Sequence, residues 1–118
     1  MSASNVLHPD QFERVHSTLL EKTLPEIAAH HYSNSPEYMR ALTRDIKRNG
    51  IQHPVEMHGN DIQEGHHRAA VAYKLGIPMP VSEVDHYSRP EADAYREDTE
   101  KWHNKYLAQT FKNAGMEP

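Results

Sequence analysis

Four consecutive residues, Gly65-His66-His67-Arg68, carry the side chains of this chain that are best suited to binding an anion. They lie between a predicted strand and a predicted helix, so backbone N–H groups and the positive end of the helix dipole are close by. Gly65 lets a ligand approach the backbone, and the Arg68 guanidinium is a planar fork that matches phosphate or carboxylate. We therefore predict an anion-binding site at residues 65–68, named here the Gly65 corner.

The role of the two histidines of the Gly65 corner is open. His66 and His67 add hydrogen-bond donors, and either could act as a general acid or base. In the alternative, structural interpretation, Arg68 pairs with Glu64 or Asp61 and the histidines cap the helix. Adjacent histidines diverge, and the spacings typical of zinc-binding helices are absent, so we predict no dedicated metal site.

The elements that must position this corner alternate between helices and strands. Apolar periodicity and turn signals predict a helix from Ser35-Pro36 to Gly50, a strand over 51–58, a hairpin turn at 59–60, a return strand over 61–64, a helix ending at Gly76 and a strand over 77–84. Pro78 and Pro80 lack N–H donors for a ladder. The last strand is therefore expected to begin at a sheet edge or before it joins the sheet.

Two helical segments flank these elements, and residues 1–8 are expected to be irregular. His8-Pro9-Asp10 is typical of a helix start, and apolar spacing predicts an N-terminal helical extension over residues 9–32, interrupted at Pro25. A capping-box pattern at Ser88 predicts a C-terminal amphipathic helix over residues 88–114. Its aromatic seam suits core or dimer packing and consists of Tyr95, Trp102, Tyr106, Leu107 and Phe111.

The helix that ends at Gly50 carries four cationic residues on one face. Arg44 follows Arg40 by four positions, and Lys47 and Arg48 follow Arg44 by three and four positions. We interpret them as a solvated face, with favourable dipole interactions at the helix C-terminus. A stripe that contacts phosphates is the alternative.

Composition limits the classes of function. The 118 residues are enough for a single domain over 1–118, and the absence of cysteine excludes disulfides, thiolate nucleophiles and cysteine metal sites. The formal net charge of −4 disfavours general nucleic-acid binding, so any such contact needs a local basic face. The sequence has neither a signal peptide nor a membrane-spanning run, so we predict a cytoplasmic protein with no membrane partner.

The order of landmarks resembles the ParB N-terminal/sulfiredoxin-like superfamily. The matching segments are residues 45–50, 51–55, 64–70, 75–78 and 80–81, and the resemblance covers a core of residues 35–85. It implies an α+β fold, a small mixed sheet with a hairpin packed by helices, here with flanking N- and C-terminal helices.

The resemblance also implies a ligand. In this superfamily a Gly-x-x-Arg corner holds nucleotide phosphates, CTP with magnesium in ParB proteins and ATP in sulfiredoxins. We therefore expect a nucleoside triphosphate with Mg²⁺ as the cofactor, if there is one. The expected phosphate- or nucleotide-binding residues are Gly65, His66, His67, Arg68 and Ala69, with Gly50, Ile51, Pro54 and Val55 as the facing wall.

Two departures from the superfamily pattern bear on activity. Sulfiredoxins have a reactive cysteine at the position of His66, and without cysteine this chain lacks the chemistry of sulfinic acid repair. ParB proteins have Glu-Arg-Arg after the glycine, where this chain has His-His-Arg, so a glutamate and an arginine linked to nucleotide turnover are missing. The pattern is similar to a stand-alone, divergent member, of a kind common on phages and other mobile elements.

Three functions remain open at this point. The first is a domain that binds a nucleotide or a nucleic-acid (DNA) phosphate with little or no turnover. The second is a phage or mobile-element interaction or inhibitor module that kept the fold and lost the chemistry, and that binds a host protein or a second copy through the C-terminal aromatic helix. The third is a nuclease or nucleotide-using enzyme with His66 or His67 as the catalytic acid/base and Arg68 as the charge stabiliser.

Overall fold

The chain folds into a mixed sheet packed by helices, which confirms the predicted α+β class. The structure is a computed structural model that describes residues 5–85, 110 and 112–115. Within these residues the elements are β1 (Asn5–Leu7), a 3-10 helix (Pro9–Arg14), β2 (His16–Ser17), β3 (Lys22–Thr23), α1 (Leu24–Asn34), α2 (Pro36–Asn49), β4 (Val55–His58), β5 (Asp61–Glu64), α3 (His66–Leu75) and β6 (Met79–Glu83).

The described strands form one sheet in the order β1-β6-β4-β5-β2-β3. β4 and β5 are the predicted antiparallel hairpin around Gly59, and β6 runs parallel to β4 after the crossover through α3. Of the two alternatives for the start of this strand, the edge is wrong, because β1 pairs with β6 and is itself the edge. Ile77 and Pro78 do precede β6, as the other alternative predicts. β1 has three residues, and its middle residue Val6 lies opposite Pro80. The β1–β6 pairing that includes this proline is therefore short.

The predicted N-terminal helical extension over residues 9–32 is correct only in its second part. After the 3-10 helix, Val15 is extended, and the chain forms β2 and β3 instead of continuing as a helix. Pairing with the hairpin competes with the helix here: the His16 N–H donates to the Asn60 carbonyl and the Thr18 N–H donates to Asp61 Oδ1. The helix that does form, α1, begins after Thr23, whose N–H and hydroxyl both donate to the Glu26 carboxylate.

A single residue, Ser35, separates α1 from α2. Its N–H donates to the His31 carbonyl at the end of α1, and its carbonyl accepts from Met39 in the first turn of α2. The Ser35 side chain forms no capping hydrogen bond with α2, because the same residue also terminates α1 with φ −136° and ψ 57°. The predicted start at Pro36 and the predicted end at Gly50 are confirmed.

The core lies between the sheet and the three helices. α2 contributes the predicted stripe, and β4 and β6 contribute alternating residues; these are Tyr38, Met39, Leu42, Ile46, Val55, Met57, Met79 and Val81. In α3 the run Ala69 to Ala72 is fully buried, since small side chains let this helix lie close to both the sheet and α1. The helix that carries the Gly65 corner is therefore held on several sides.

The last described residues pack against α2. Thr110 hydrogen-bonds the Tyr38 side chain, and Asn49 Nδ2 donates to the Asn113 carbonyl at 3.4 Å. Of the predicted helix over 88–114, Thr110, Lys112 and Asn113 are helical and Ala114 lies in a turn. The rest, including the aromatic seam from Tyr95 to Phe111, lies outside the described residues. In the portion of the chain that is described, no helix combines the length and apolar character needed to cross a membrane.

Candidate functional site

Gly65 holds the junction between β5 and α3 in a conformation that requires glycine. Its φ of 96° and ψ of 27° are in the left-handed region. A Cβ at this position would lie 3.2 Å from the Val55 Cα and 2.9 Å from Arg68 Nη2. The glycine therefore serves both the turn and the close approach of α3 to β4, and the backbone of β4 forms one wall of the corner.

The Arg68 guanidinium lies over this glycine in the first turn of α3. Nη2 donates to the Pro54 carbonyl at 3.2 Å, and the buried Nε has no hydrogen-bond partner. The alternative in which Arg68 pairs with Glu64 or Asp61 is not observed, since no ion pair of Arg68 occurs within residues 5–85 or the described C-terminal residues. A guanidinium has five N–H donors, so most of its donor capacity remains for an anion.

The other residues of the predicted phosphate site divide into two groups. Pro54 and Val55, two residues of the predicted facing wall, contact the Gly65 corner through their backbones. Gly50 is exposed at the end of α2 and Ile51 packs partly buried on the core. Ala69 is fully buried, and its N–H donates to the Gly65 carbonyl at 2.9 Å, so it begins the helix and is not a free donor.

His66 points into the interior and bonds to a residue of the N-terminal hairpin. Its side chain is 1 % exposed, and Nε2 lies 2.8 Å from Ser17 Oγ, which also accepts a hydrogen bond from the Leu20 N–H. Burial, then the proximity of His31, lowers the pKa of His66 to about 3, against an opposing effect of the Asp61 carboxylate. The imidazole is therefore neutral at physiological pH and brings no positive charge to the corner.

Ser17, His66 and Asp61 are the residue types of an acyl-transfer triad, but here they stabilise the fold. All three are buried, at most 6 % exposed, and Asp61 Oδ1 accepts a hydrogen bond from the Thr18 N–H. A substrate carbonyl would have to reach a hydroxyl that the protein encloses, so the geometry lacks the open approach that the triad needs. The cluster instead ties the β2–β3 hairpin to the start of α3.

His67 is also turned inward and joins the three helices. Its ring lies 3.9 Å from the His31 ring of α1, centroid to centroid, at an interplanar angle of 31°. The Tyr38 ring of α2 meets it edge-on at 5.3 Å and 89°. His67 is 7 % exposed, so this ring packs in the interior. Of the side chains at the Gly65 corner, Arg68 alone is partly exposed.

Four residues around the corner were not identified from the sequence, namely Ser17, His31, Tyr38 and Asp61 in these roles. Ser17 is 49 positions from its partner His66, and no local motif marks it. Tyr38 lies on the buried face of α2, and its contact with His67 is a tertiary one that local periodicity does not reveal. Among the residues that the structure describes, no group of three or more His, Asp or Glu side chains is arranged to hold a metal ion.

Gly65→Ala is expected to destabilise the fold more than Gly76→Ala. Both glycines have a positive φ, but an added Cβ at Gly76 meets nothing within 4 Å, whereas at Gly65 it meets Val55 and Arg68. The left-handed conformation alone costs about 1–3 kcal/mol for a non-glycine residue, and the collisions add to this at Gly65. Urea unfolding of the two variants measures the difference, and equal losses would contradict the close approach to β4.

Ser17→Ala is expected to lower the free energy of unfolding by about 1–3 kcal/mol, because it leaves the buried His66 Nε2 without this partner. The matched control is Ser33→Ala on the exposed surface of α1, with an expected change within about 0.5 kcal/mol. Chemical denaturation of both variants at neutral pH gives the comparison. A Ser17→Ala protein as stable as the control would show that the hydrogen bond contributes nothing.

The free energy of unfolding is expected to decrease as the pH is lowered, because of His66. An unfolded histidine titrates near pH 6.5, about as in model peptides, while the folded chain keeps His66 neutral down to a pKa of about 3. Between these values the unfolded state binds more protons, so the unfolding free energy decreases as pH falls, by at most about 1.4 kcal/mol per pH unit from this residue.

Urea unfolding between neutral and mildly acidic pH tests this dependence. His66→Gln is expected to flatten it, and His53→Gln, which changes an exposed side chain, is expected to leave it as in the parent. Identical slopes for the parent and His66→Gln would contradict the assignment.

Comparison with protein-family models, with curated protein sequences and with solved structures finds no match to this chain. The resemblance to the ParB N-terminal/sulfiredoxin-like superfamily thus stays a prediction from the sequence.

Proposed function

We propose that this chain is a ParB-like domain that binds the phosphates of a nucleotide at the Gly65 corner, with little or no turnover. The observation that carries the proposal is the Arg68 guanidinium, which lies at the N-terminus of α3 with one hydrogen bond, to the Pro54 carbonyl, and a buried Nε without a partner. No side chain caps α3 among the described residues, so its first turn offers a positive dipole end to the same ligand.

The glycine beside Arg68 lets the guanidinium lie close to the backbone of the corner. A Cβ at Gly65 would lie 2.9 Å from Arg68 Nη2 and 3.2 Å from the Val55 Cα. A planar fork next to a helix N-terminus matches a phosphate or a carboxylate, and the resemblance to nucleotide-binding domains favours a phosphate. A magnesium ion that accompanies a triphosphate is held mostly by phosphate oxygens and water, so it needs few protein ligands.

Binding without turnover is favoured by the state of the two histidines. A general acid or base must reach the proton that it transfers, and its pKa should be close to the working pH. His66 and His67 are both buried, and the pKa of His66 is lowered to about 3 by burial above all. The side chain left for ligand chemistry at the corner is Arg68, which neutralises and positions charge but does not exchange protons.

Arg68→Ala is expected to weaken nucleotide binding by about 10- to 100-fold, the effect of removing charge-assisted hydrogen bonds. Isothermal titration with CTP, ATP and GTP, each with and without Mg²⁺, measures the affinities. Arg68→Lys keeps the charge without the fork, so we expect intermediate affinity for it. Arg14→Ala, an exposed arginine on the 3-10 helix, is the matched control and should bind as the parent does.

Two outcomes would refute the proposal. One is a parent protein that binds none of the three nucleotides in either condition. The other is an Arg68→Ala variant that is folded by circular dichroism and binds as tightly as the parent.

A further inference from the structure

A second basic surface lies on α2, away from the residues that form the Gly65 corner. Here the first two helices border an open groove of about 530 Å³, lined by Tyr32, Pro36, Arg40, Thr43, Arg44 and Lys47. Half of these residues are cationic. We name this surface the α2 groove.

The cations of the α2 groove are exposed, and no described carboxylate neutralises them. Arg40, Arg44 and Lys47 follow one another at spacings of four and three, so they share one face of the helix. No carboxylate forms an ion pair with any of them in the described part of the chain. Like charges at this spacing repel one another, and the repulsion would be relieved by a bound anion.

The wall from α1 gives the groove an ordered aromatic side. The Tyr32 hydroxyl and Thr43 Oγ1 are 2.7 Å apart, a hydrogen bond that fixes the tyrosine against α2. Lys74 of α3 places its Nζ 5.7 Å from the centroid of the Tyr32 ring. Lys74 does not line the groove, but it contributes a further positive charge next to the Tyr32 ring.

We propose that the α2 groove binds the phosphate backbone of a nucleic-acid duplex. The cations extend from Arg40 to Lys47, which is about 10.5 Å along a helix axis. One strand of a duplex carries a phosphate about every 3.4 Å along its axis, so this length faces about three phosphates. A regular row of anions matches the row of cations, and arginine forks bind phosphate bidentately.

An acidic polypeptide is the less favoured occupant. Its carboxylates have no fixed repeat, and it would leave the ordered Tyr32 wall without a specific partner. The net charge of −4 limits nucleic-acid contact to a local basic face, and the α2 groove is such a face. This site goes beyond the proposed nucleotide site, since Arg68 and Gly65 do not line the groove.

Fluorescence anisotropy with a labelled DNA duplex of about 16 base pairs tests the proposal. For three phosphate contacts, the affinity of the parent should fall about 40-fold between about 50 and about 200 mM salt. The variant Arg40→Ala/Arg44→Ala/Lys47→Ala should lose this binding and its salt dependence. The control Arg14→Ala/Lys22→Ala/Lys112→Ala has the same change in net charge outside the groove and should bind as the parent does.

Several results would overturn the proposal. These are a parent that does not bind the duplex, two triple variants that are weakened equally, and a groove variant that binds as well as the parent. Displacement of the duplex by poly-glutamate at equal charge concentration would assign the groove to acidic polypeptides instead. Nucleotide titration of the groove variant separates the two sites, since it should retain the affinity that depends on Arg68.

Discussion

The rest of the structure depends on the close approach between the backbone of Gly65 and the backbone of β4. There is no space for a side chain between them, and the glycine has a conformation that other residues adopt only with strain. Once α3 begins this close to the sheet, the alanines that follow keep it there. His66 is then directed into the interior, and Arg68 lies over the glycine beside Pro54.

The polar residues at the start of α3 therefore make different contacts. His66 connects α3 to the N-terminal hairpin through Ser17, and His67 connects it to α1 and α2 through ring packing. Both interactions occur in the interior, where an unsatisfied polar group is costly and a satisfied one orders its neighbours. Arg68 alone among them is partly exposed, and it is held in position by the elements that the two histidines join.

The parts of the fold that could be predicted are those governed by local signals. The limits of α2 at Pro36 and Gly50 and the hairpin around Gly59 follow from capping, turn chemistry and periodicity over a few residues. The strand β2 could not be predicted in this way, because Phe12 and Val15 fit a helical period and pairing of His16 with β5 decides the outcome.

The candidate site shows the same division between local and distant signals. The glycine turn and the helix N-terminus were predicted from the residues themselves, whereas Pro54 and Val55 were expected only from the superfamily resemblance. The burial of His66 could not be, since it depends on a serine 49 positions away and on how closely α3 approaches the sheet. Residue type indicated which groups could bind an anion, but only the three-dimensional packing determines which of them faces solvent.

A single residue, Ser35, joins α1 to α2. Its N–H bonds to the last turn of the first helix and its carbonyl to the first turn of the second, so the junction contains no residue outside these hydrogen bonds. Tyr32 precedes this junction and Arg40 follows it, so each of the two helices contributes one of these residues to the lining of the α2 groove. The length of the junction therefore sets the distance between α1 and α2 and with it the width of the groove. Insertion of one residue at the junction would widen the groove and leave its charges unchanged.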